Sequence, residues 1–302
     1  MHFDIAWQEV DTVLLDMDGT LLDLAFDNYF WQTLVPETWG AARGLNLQEA
    51  KDAMRQEYHA VQHTLNWYCL DYWSERLGLD ICAMTSEQGP RATLREDTVP
   101  FLDALKACGK RRILLTNAHP HNLAVKLKHT GLDAHLDLLL STNTFGYPKE
   151  DQRLWRAVAE ETGLEAHKTL FVDDSEAILD AAREFGIRYC LGITNPDSGL
   201  AEKQYLRHPG LNDYRRLIPS LHFRPGLGGE HADAGGAAGH ICRLDGGDRL
   251  RRNRHPFVPH SMVGAHHQQG LFRHLRLAAQ AGHSRQLHRQ RLQTPEAAGG
   301  LE

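Results

Sequence analysis

Five short apolar runs, rich in branched residues and bounded by turn residues, punctuate residues 11–194: DTVLLDMDG, RRILLTNA, LDLLLST, KTLFVDD and YCLGIT. Near-continuous apolar runs of this length suit parallel strands buried on both faces. Helical patterns lie between them: PFLDALKACG, HNLAVKLKHTG, EDQRLWRAVAEETG and SEAILDAAREFG. Pro100 suits a first helical turn, and Gly109, Gly131 and Gly186 stand where three of these helices should stop, because glycine tolerates the left-handed closing conformation. Strands alternating with helices predict an α/β fold with a doubly wound, Rossmann-like parallel sheet, whose sites gather at the C-terminal ends of the strands.

Four chemical blocks occupy such ends, in a fixed order. Asp16-Met17-Asp18-Gly19-Thr20 closes the first run, Thr116-Asn117 the second, Tyr147-Pro148-Lys149 follows the third, and Asp173-Asp174-Ser175 closes the fourth. Asp16 and Asp18 stand two residues apart, so in extended backbone their carboxylates lean to one face. Adjacent carboxylates repel unless a cation joins them, and Asp173 and Asp174 add two more. Magnesium suits the set, being a hard ion that binds through carboxylates and substrate phosphate. Gly19 and Thr20 allow a sharp turn that could aim backbone N–H groups at an anion. Thr116 and Asn117 offer a hydroxyl and an amide to phosphate oxygens, and Lys149 a positive charge. Singly, each block has an ordinary explanation: a solvated Asp-x-Asp, a turn satisfied by Thr116 and Asn117, a surface lysine, a helix capped by Asp173-Asp174. Their joint occurrence at strand ends predicts phosphoryl transfer assisted by a divalent metal.

Between about Leu24 and Glu96 the alternation fails, and the chain reads as helices rich in Trp, Tyr and His. The expected organisation is a catalytic core over 1–23 and 97–221 with a helical cap, 24–96, inserted after the first strand and covering the site. The cap aromatics, including Trp31, Tyr58, Trp67, Tyr68 and Trp73, could stack on a purine, but helical caps need cores of their own, and packing is the leading expectation for most of them. Asp27, Asn28, Tyr29 and Trp31 fall where a flap over the site should lie. His119 and His121 flank the second block, where a supporting or helix-starting role is expected.

Composition narrows the partners. Residues 1–221 carry 22 basic and 33 acidic side chains, which argues against a nucleic-acid-binding face. No run of 18 apolar residues exists, so no membrane span is expected, and MHFDIAWQEV does not read as a signal peptide. Cys69, Cys82, Cys108, Cys190 and Cys242 form an odd set without CxxC spacing, so neither a disulfide framework nor a zinc site is expected, and a cytoplasmic location is favoured. From His222 onward the chain holds 10 of its 19 histidines and 11 arginines but no lysine. This low-complexity tail, 222–302, reads as disordered, as a His-rich metal or anion-binding segment, or as a non-native extension such as a frame shift after Leu221. None of these makes it catalytic.

DMDGTLLD, LLTNA, GYPK and FVDDSEAILDAA resemble the four motifs of the haloacid dehalogenase superfamily, over about residues 8–221. The resemblance implies that Asp16 is the nucleophile and Asp18 the acid and base, with an aspartyl-phosphate intermediate. It implies Mg2+ held by the Asp16 carboxylate, the Asp18 carbonyl and Asp174, with Asp173 direct or through water, and Thr116 and Lys149 on the phosphoryl oxygens. An acid at position 18 fits the phosphatases of the superfamily and not its dehalogenases. Ile178 departs from the pattern, standing where many relatives place a further Asp or Asn. LDLAFDNYFW, HTLNWYCLDYW and TNAHPHNLAVKL further resemble bacterial GMP/IMP nucleotidases of that superfamily, implying a small-molecule phosphomonoester, GMP or IMP, as substrate. A sugar phosphatase or phosphomutase is the alternative within catalysis. A phosphate-binding or phospho-signalling module is the alternative outside it.

Overall fold

The computed structural model describes residues 4–222. The expected tail, apart from His222, lies outside the described residues. Among the described residues six strands form one parallel sheet: β1 (Thr12–Leu15), β2 (Arg111–Thr116), β3 (Leu138–Ser141), β4 (Thr169–Asp173), β5 (Tyr189–Ile193) and β6 (Gly210–Leu211). Their order is β3-β2-β1-β4-β5-β6. The chain therefore builds outward from β1 in one direction and then returns beside β1 to build in the other. The point of reversal, between β1 and its neighbours, is where such sheets leave a crevice.

Register places the chemical blocks in that crevice. Leu15 pairs with Leu114 on one side and Val172 on the other, so Asp16, Thr116 and Asp173 emerge at one edge. The Asp16 N–H still donates to the Val172 carbonyl at 3.0 Å, extending the ladder by one rung.

Alternation along the strands supplies both cores. Leu14, Ile113, Leu115 and Phe171 face one way and pack with Leu154, Trp155, Val158, Leu179 and Ala182 of helices Gln152–Thr162 and Glu176–Phe185. Val13, Leu15, Leu114, Leu170 and Val172 face the other way, toward Phe101, Leu102, Leu105, Leu123 and Leu127 of helices Thr98–Ala107 and Pro120–Thr130. The five expected strands and four expected helices are all present. Gly163 closes the third helix in the left-handed conformation as Gly131 and Gly186 close theirs, a stop the sequence reading passed over. The two-residue β6 was also not expected. It is too short for periodicity to register, and it joins β5 where Gly192 lies so close beneath the Tyr205 ring that a Cβ would not fit.

Residues 25–88 contain helices only, the longest being Leu47–Val61. Asn46 and Glu49 fasten its start reciprocally: Asn46 Oδ1 accepts from the Glu49 N–H at 3.0 Å, and Glu49 Oε2 from the Asn46 N–H at 2.9 Å. The insertion leaves and rejoins the core side by side, with Leu22 bridging to Leu94 and the Asp23 N–H donating to the Thr93 carbonyl at 3.0 Å. Trp73 anchors its interior. It is 1% exposed, with Tyr58, Tyr72, Trp31 and Trp67 around it at centroid separations of 5.1, 5.1, 6.1 and 6.4 Å. Its Nε1 donates to the Trp67 carbonyl at 2.9 Å. Trp73→Ala should therefore lower unfolding free energy by about 3–5 kcal/mol, measured by denaturant titration. A midpoint unchanged from the parent would show that these rings do not form a cooperative core.

Candidate active site

Asp16 sits at the end of β1, 6% exposed, where the chain turns back on itself. The turn depends on Gly19, with φ of +78°. A Cβ there would lie 3.0 Å from the Asp174 carboxylate and from Pro196 Cβ, so only glycine lets the first and fourth blocks approach this closely. Within this turn the Gly19 and Thr20 amides are engaged internally, donating to the carbonyls of Leu22 at 2.9 Å and Met17 at 3.3 Å. The Thr20 hydroxyl donates to Asp16 Oδ2 at 3.1 Å.

Lys149 is 2% exposed, and its Nζ lies 2.6 Å from both Asp16 Oδ1 and Asp173 Oδ2. Burial alone would lower its pKa, but the two carboxylates overcome this and hold the ammonium firmly protonated. Its position is built by neighbours. Asn117 Oδ1 accepts from the Lys149 N–H at 2.9 Å and from the Thr142 hydroxyl at 3.0 Å, and Trp155 Nε1 donates to the Lys149 carbonyl at 2.8 Å. Asn117 thus uses its carbonyl oxygen to fix the lysine's loop, while its amide nitrogen lies 3.3 Å from Glu150. Thr116 Oγ1 accepts from the Ala118 N–H at 3.0 Å, leaving the hydroxyl proton to donate into the cavity that Thr116 lines.

Asp173 and Asp174 follow one another off β4. Asp173 Oδ1 accepts from the Ser175 N–H at 2.8 Å. Burial, with Asp16 and Asp174 adding to it against Lys149, pushes the Asp173 carboxyl up to about 8. Burial likewise raises Asp174, against the pull of Lys203, whose Nζ lies 3.4 Å from Asp174 Oδ2. Tyr205 donates its hydroxyl to the Asp174 carbonyl at 2.8 Å. Oxygens of Asp16, Asp173 and Asp174 all lie within 4.8 Å of one another. Three hard oxygen donors crowded together form a set that suits a divalent cation with bonds of about 2 Å, which would hold all three ionised.

The Asp18 carboxylate turns away from that set. Its Oδ1 lies 2.6 Å from Nζ of Lys126, which also contacts both oxygens of Asp27 at 2.7 Å. Lys126 is fully buried. Burial and the nearby Asp27 and Asp16 push the Asp18 carboxyl up to about 7 against the pull of Lys126, so the group can exchange a proton near neutral pH. Sequence reading did not single out Lys126, although one sign was there. In the helix Pro120–Thr130 it shares the buried face of Leu123 and Leu127, and a lysine on an apolar stripe needs a partner. Asp27 had been noted only as one of several flap residues. Lys203 and Tyr205 follow the last expected strand and carried no sequence signal.

Asp16, Asp18, Thr116, Lys149, Asp173 and Asp174 form the floor of a cavity of about 670 Å³ whose walls include Trp31, Lys51, Arg55, Tyr58 and Gln62 of the helical insertion. His63, with φ of +65°, reaches within 3.5 Å of Glu150, and the Tyr68 hydroxyl donates to Glu150 at 3.0 Å, so the insertion touches the residue next to Lys149.

The family described as haloacid dehalogenase-like hydrolase matches residues 10–186. The GMP/IMP nucleotidase YrfG of Escherichia coli (strain K12) is 84% identical over 221 residues, 73% of this chain and 100% of that protein. Enolase-phosphatase E1 of Gluconacetobacter diazotrophicus is 30% identical over 225 residues, covering 66% of this chain and 89% of its own. Among solved structures, a HAD phosphatase from Thermococcus onnurineus superposes with a TM-score of 0.57 at 20% identity, covering 70% of this chain and 98% of its own, and shares the fold. The family match over residues 10–186, which takes in the first four strands and all four blocks, establishes that this chain belongs to the haloacid dehalogenase-like hydrolases.

Proposed function

We propose that this hydrolase is a magnesium-dependent phosphomonoesterase that works through an aspartyl-phosphate, with a purine nucleoside 5'-monophosphate, GMP or IMP, as substrate. The convergence of Asp16, Asp173 and Asp174 beside Lys149 carries the reaction class. The identity of 84% to a protein named as a GMP/IMP nucleotidase, over that protein's whole length, supports the substrate.

In this reading an Asp16 carboxylate oxygen attacks phosphorus and the ester oxygen leaves. Asp16, Asp174 and the Asp18 carbonyl would hold Mg2+, with Asp173 direct or through a water; the ion neutralises phosphate charge and orients the ester when bound. Lys149 and the Thr116 hydroxyl contact the transferring oxygens, a task of positioning and electrostatics. Asn117 contributes through its amide nitrogen and by fixing Lys149. Asp18 gives its proton to the departing alkoxide and then takes one from the water that hydrolyses the aspartyl-phosphate. Lys126 keeps the Asp18 carboxyl aimed while tying it to Asp27 of the insertion, which acts as the cap over residues 24–96. Cavity walls bearing Trp31, Tyr58, Lys51, Arg55 and Gln62 offer ring faces and donors to a purine. Among the described residues no helix is long and apolar enough to cross a membrane. The thiols of Cys69, Cys82 and Cys190 accord with a reducing cytoplasm.

Two outcomes follow. Phosphate release from GMP and IMP should exceed that from a panel of hexose and pentose phosphates, should vanish with EDTA and should return with excess Mg2+. Faster release from the sugar esters would favour a sugar phosphatase instead. Lys126→Met should slow hydrolysis of GMP by roughly 10²-fold while affecting p-nitrophenyl phosphate much less, because a good leaving group needs little help from an acid. Equal losses on both esters would show that Lys126 supports only the fold.

A further inference from the structure

A second group of metal-binding side chains lies outside the acidic set. Cys69 sits between the helices Leu65–Tyr68 and Leu70–Leu77, Asp71 lies in the first turn of the latter, and His119 follows β2. Their ligand atoms all lie within 4.8 Å of one another. His119 Nε2 is 3.8 Å from Asp71 Oδ2, and the Cys82 Sγ is 3.9 Å from Asp71 Oδ1. We propose that Cys69, Asp71, Cys82 and His119 form a binding site for a zinc-class ion that joins the helical insertion to the core.

The donor set is the argument. Thiolate, imidazole and carboxylate together suit a borderline-soft ion with tetrahedral geometry, and unlike the acidic set they do not suit magnesium. With zinc bonds of about 2.0–2.3 Å, tetrahedral ligand atoms stand roughly 3.3–3.8 Å apart. The His119–Asp71 contact of 3.8 Å is already close to that spacing, while the Cys82 Sγ, 3.9 Å from the other Asp71 oxygen and outside the group of three mutually within 4.8 Å, would move in as the fourth ligand. Cys69 and Cys82 are half-buried and Asp71 is exposed, which leaves an entry path for an ion.

His119 is held with Nε2 toward the cluster because its Nδ1 accepts from the His121 N–H at 3.3 Å. An ion on Nε2 moves the ring proton to Nδ1 and exchanges that long hydrogen bond for a metal bond. His121 is not a donor here: its Nε2 is taken by the Ser86 hydroxyl at 2.9 Å and the Cys82 carbonyl at 3.1 Å. Those contacts hold the helix Ile81–Gln88 against the core beside the site. No local spacing announces this set, because its members come from three segments that only the tertiary fold assembles.

Three of the ligands belong to the insertion, and His119 stands two residues beyond Asn117. An ion bound here latches the insertion against the loop that positions Lys149. It therefore slows turnover without occupying the substrate cavity.

The test is a Co2+ titration of the full-length protein in excess Mg2+, followed by absorption. The expected result is one equivalent of tetrahedral cobalt with a thiolate charge-transfer band. That band should be lost in Cys69→Ser and in Asp71→Asn, whose exposed side chain can change without disturbing the core, and kept in Cys242→Ser. Absence of the band, its persistence in Cys69→Ser and Asp71→Asn, or its loss in Cys242→Ser would overturn the site. Zn2+ should inhibit p-nitrophenyl phosphate hydrolysis in the parent and spare Cys69→Ser. Equal inhibition of both would overturn the latch. The spectroscopic result does not depend on the identity of the substrate.

Discussion

The Lys149 ammonium, set between Asp16 and Asp173, is the contact on which the site rests. Both carboxyls are buried, and with Asp174 beside them burial and the crowding of acids push Asp173 and Asp174 up. Removing the lysine would leave charges uncompensated inside the protein, a loss on the order of 3–5 kcal/mol. Keeping it leaves crowded acids that a further positive charge would hold ionised. A site poised in this way favours a divalent ion together with an anionic substrate, and the surrounding scaffold can be understood as what holds the arrangement against its own repulsion.

That scaffold is specific. The parallel register brings Asp16 and Asp173 to one edge, Gly19 permits the approach of Asp174, and Asn117 with Trp155 pins the loop of Lys149. A second buried lysine, Lys126, plays the corresponding part for Asp18 and extends the network to Asp27. Each acid of the first block is therefore matched by its own lysine, one from after β3 and one from the helix after β2. Burial with Asp27 and Asp16 nearby, against the pull of Lys126, leaves the Asp18 carboxyl able to hold a proton near neutral pH, as acid–base chemistry there requires.

Much of this was legible in the chain. Branched apolar runs ending in Asp16, Thr116 and Asp173 specify buried parallel strands and their chemical ends at once, because both properties are local. Lys126 was harder: its position on an apolar helix face is a local sign, but its partners lie about a hundred residues away in Asp18 and Asp27. Lys203 and Tyr205 reach Asp174 from a segment without periodicity, and β6 is defined only by the sheet it joins. That the turn amides of Gly19 and Thr20 are taken internally was not legible either, since composition indicates that a turn can form but not which carbonyls its N–H groups will find. The grouping of Cys69, Asp71 and His119 was invisible to spacing, because its members come from segments that only the tertiary fold brings together.

The cavity joins a charged floor, made by the strands, to a roof made by the helical insertion, and the reading of the protein as a phosphatase depends on the floor. The most direct test is anomalous scattering from crystals soaked in Mn2+ as a stand-in for magnesium. The account predicts a single strong peak on the floor, within about 2 Å of carboxylate oxygens of Asp16 and Asp174. A manganese peak elsewhere, with the space between Asp16, Asp173 and Asp174 filled by water alone, would contradict it.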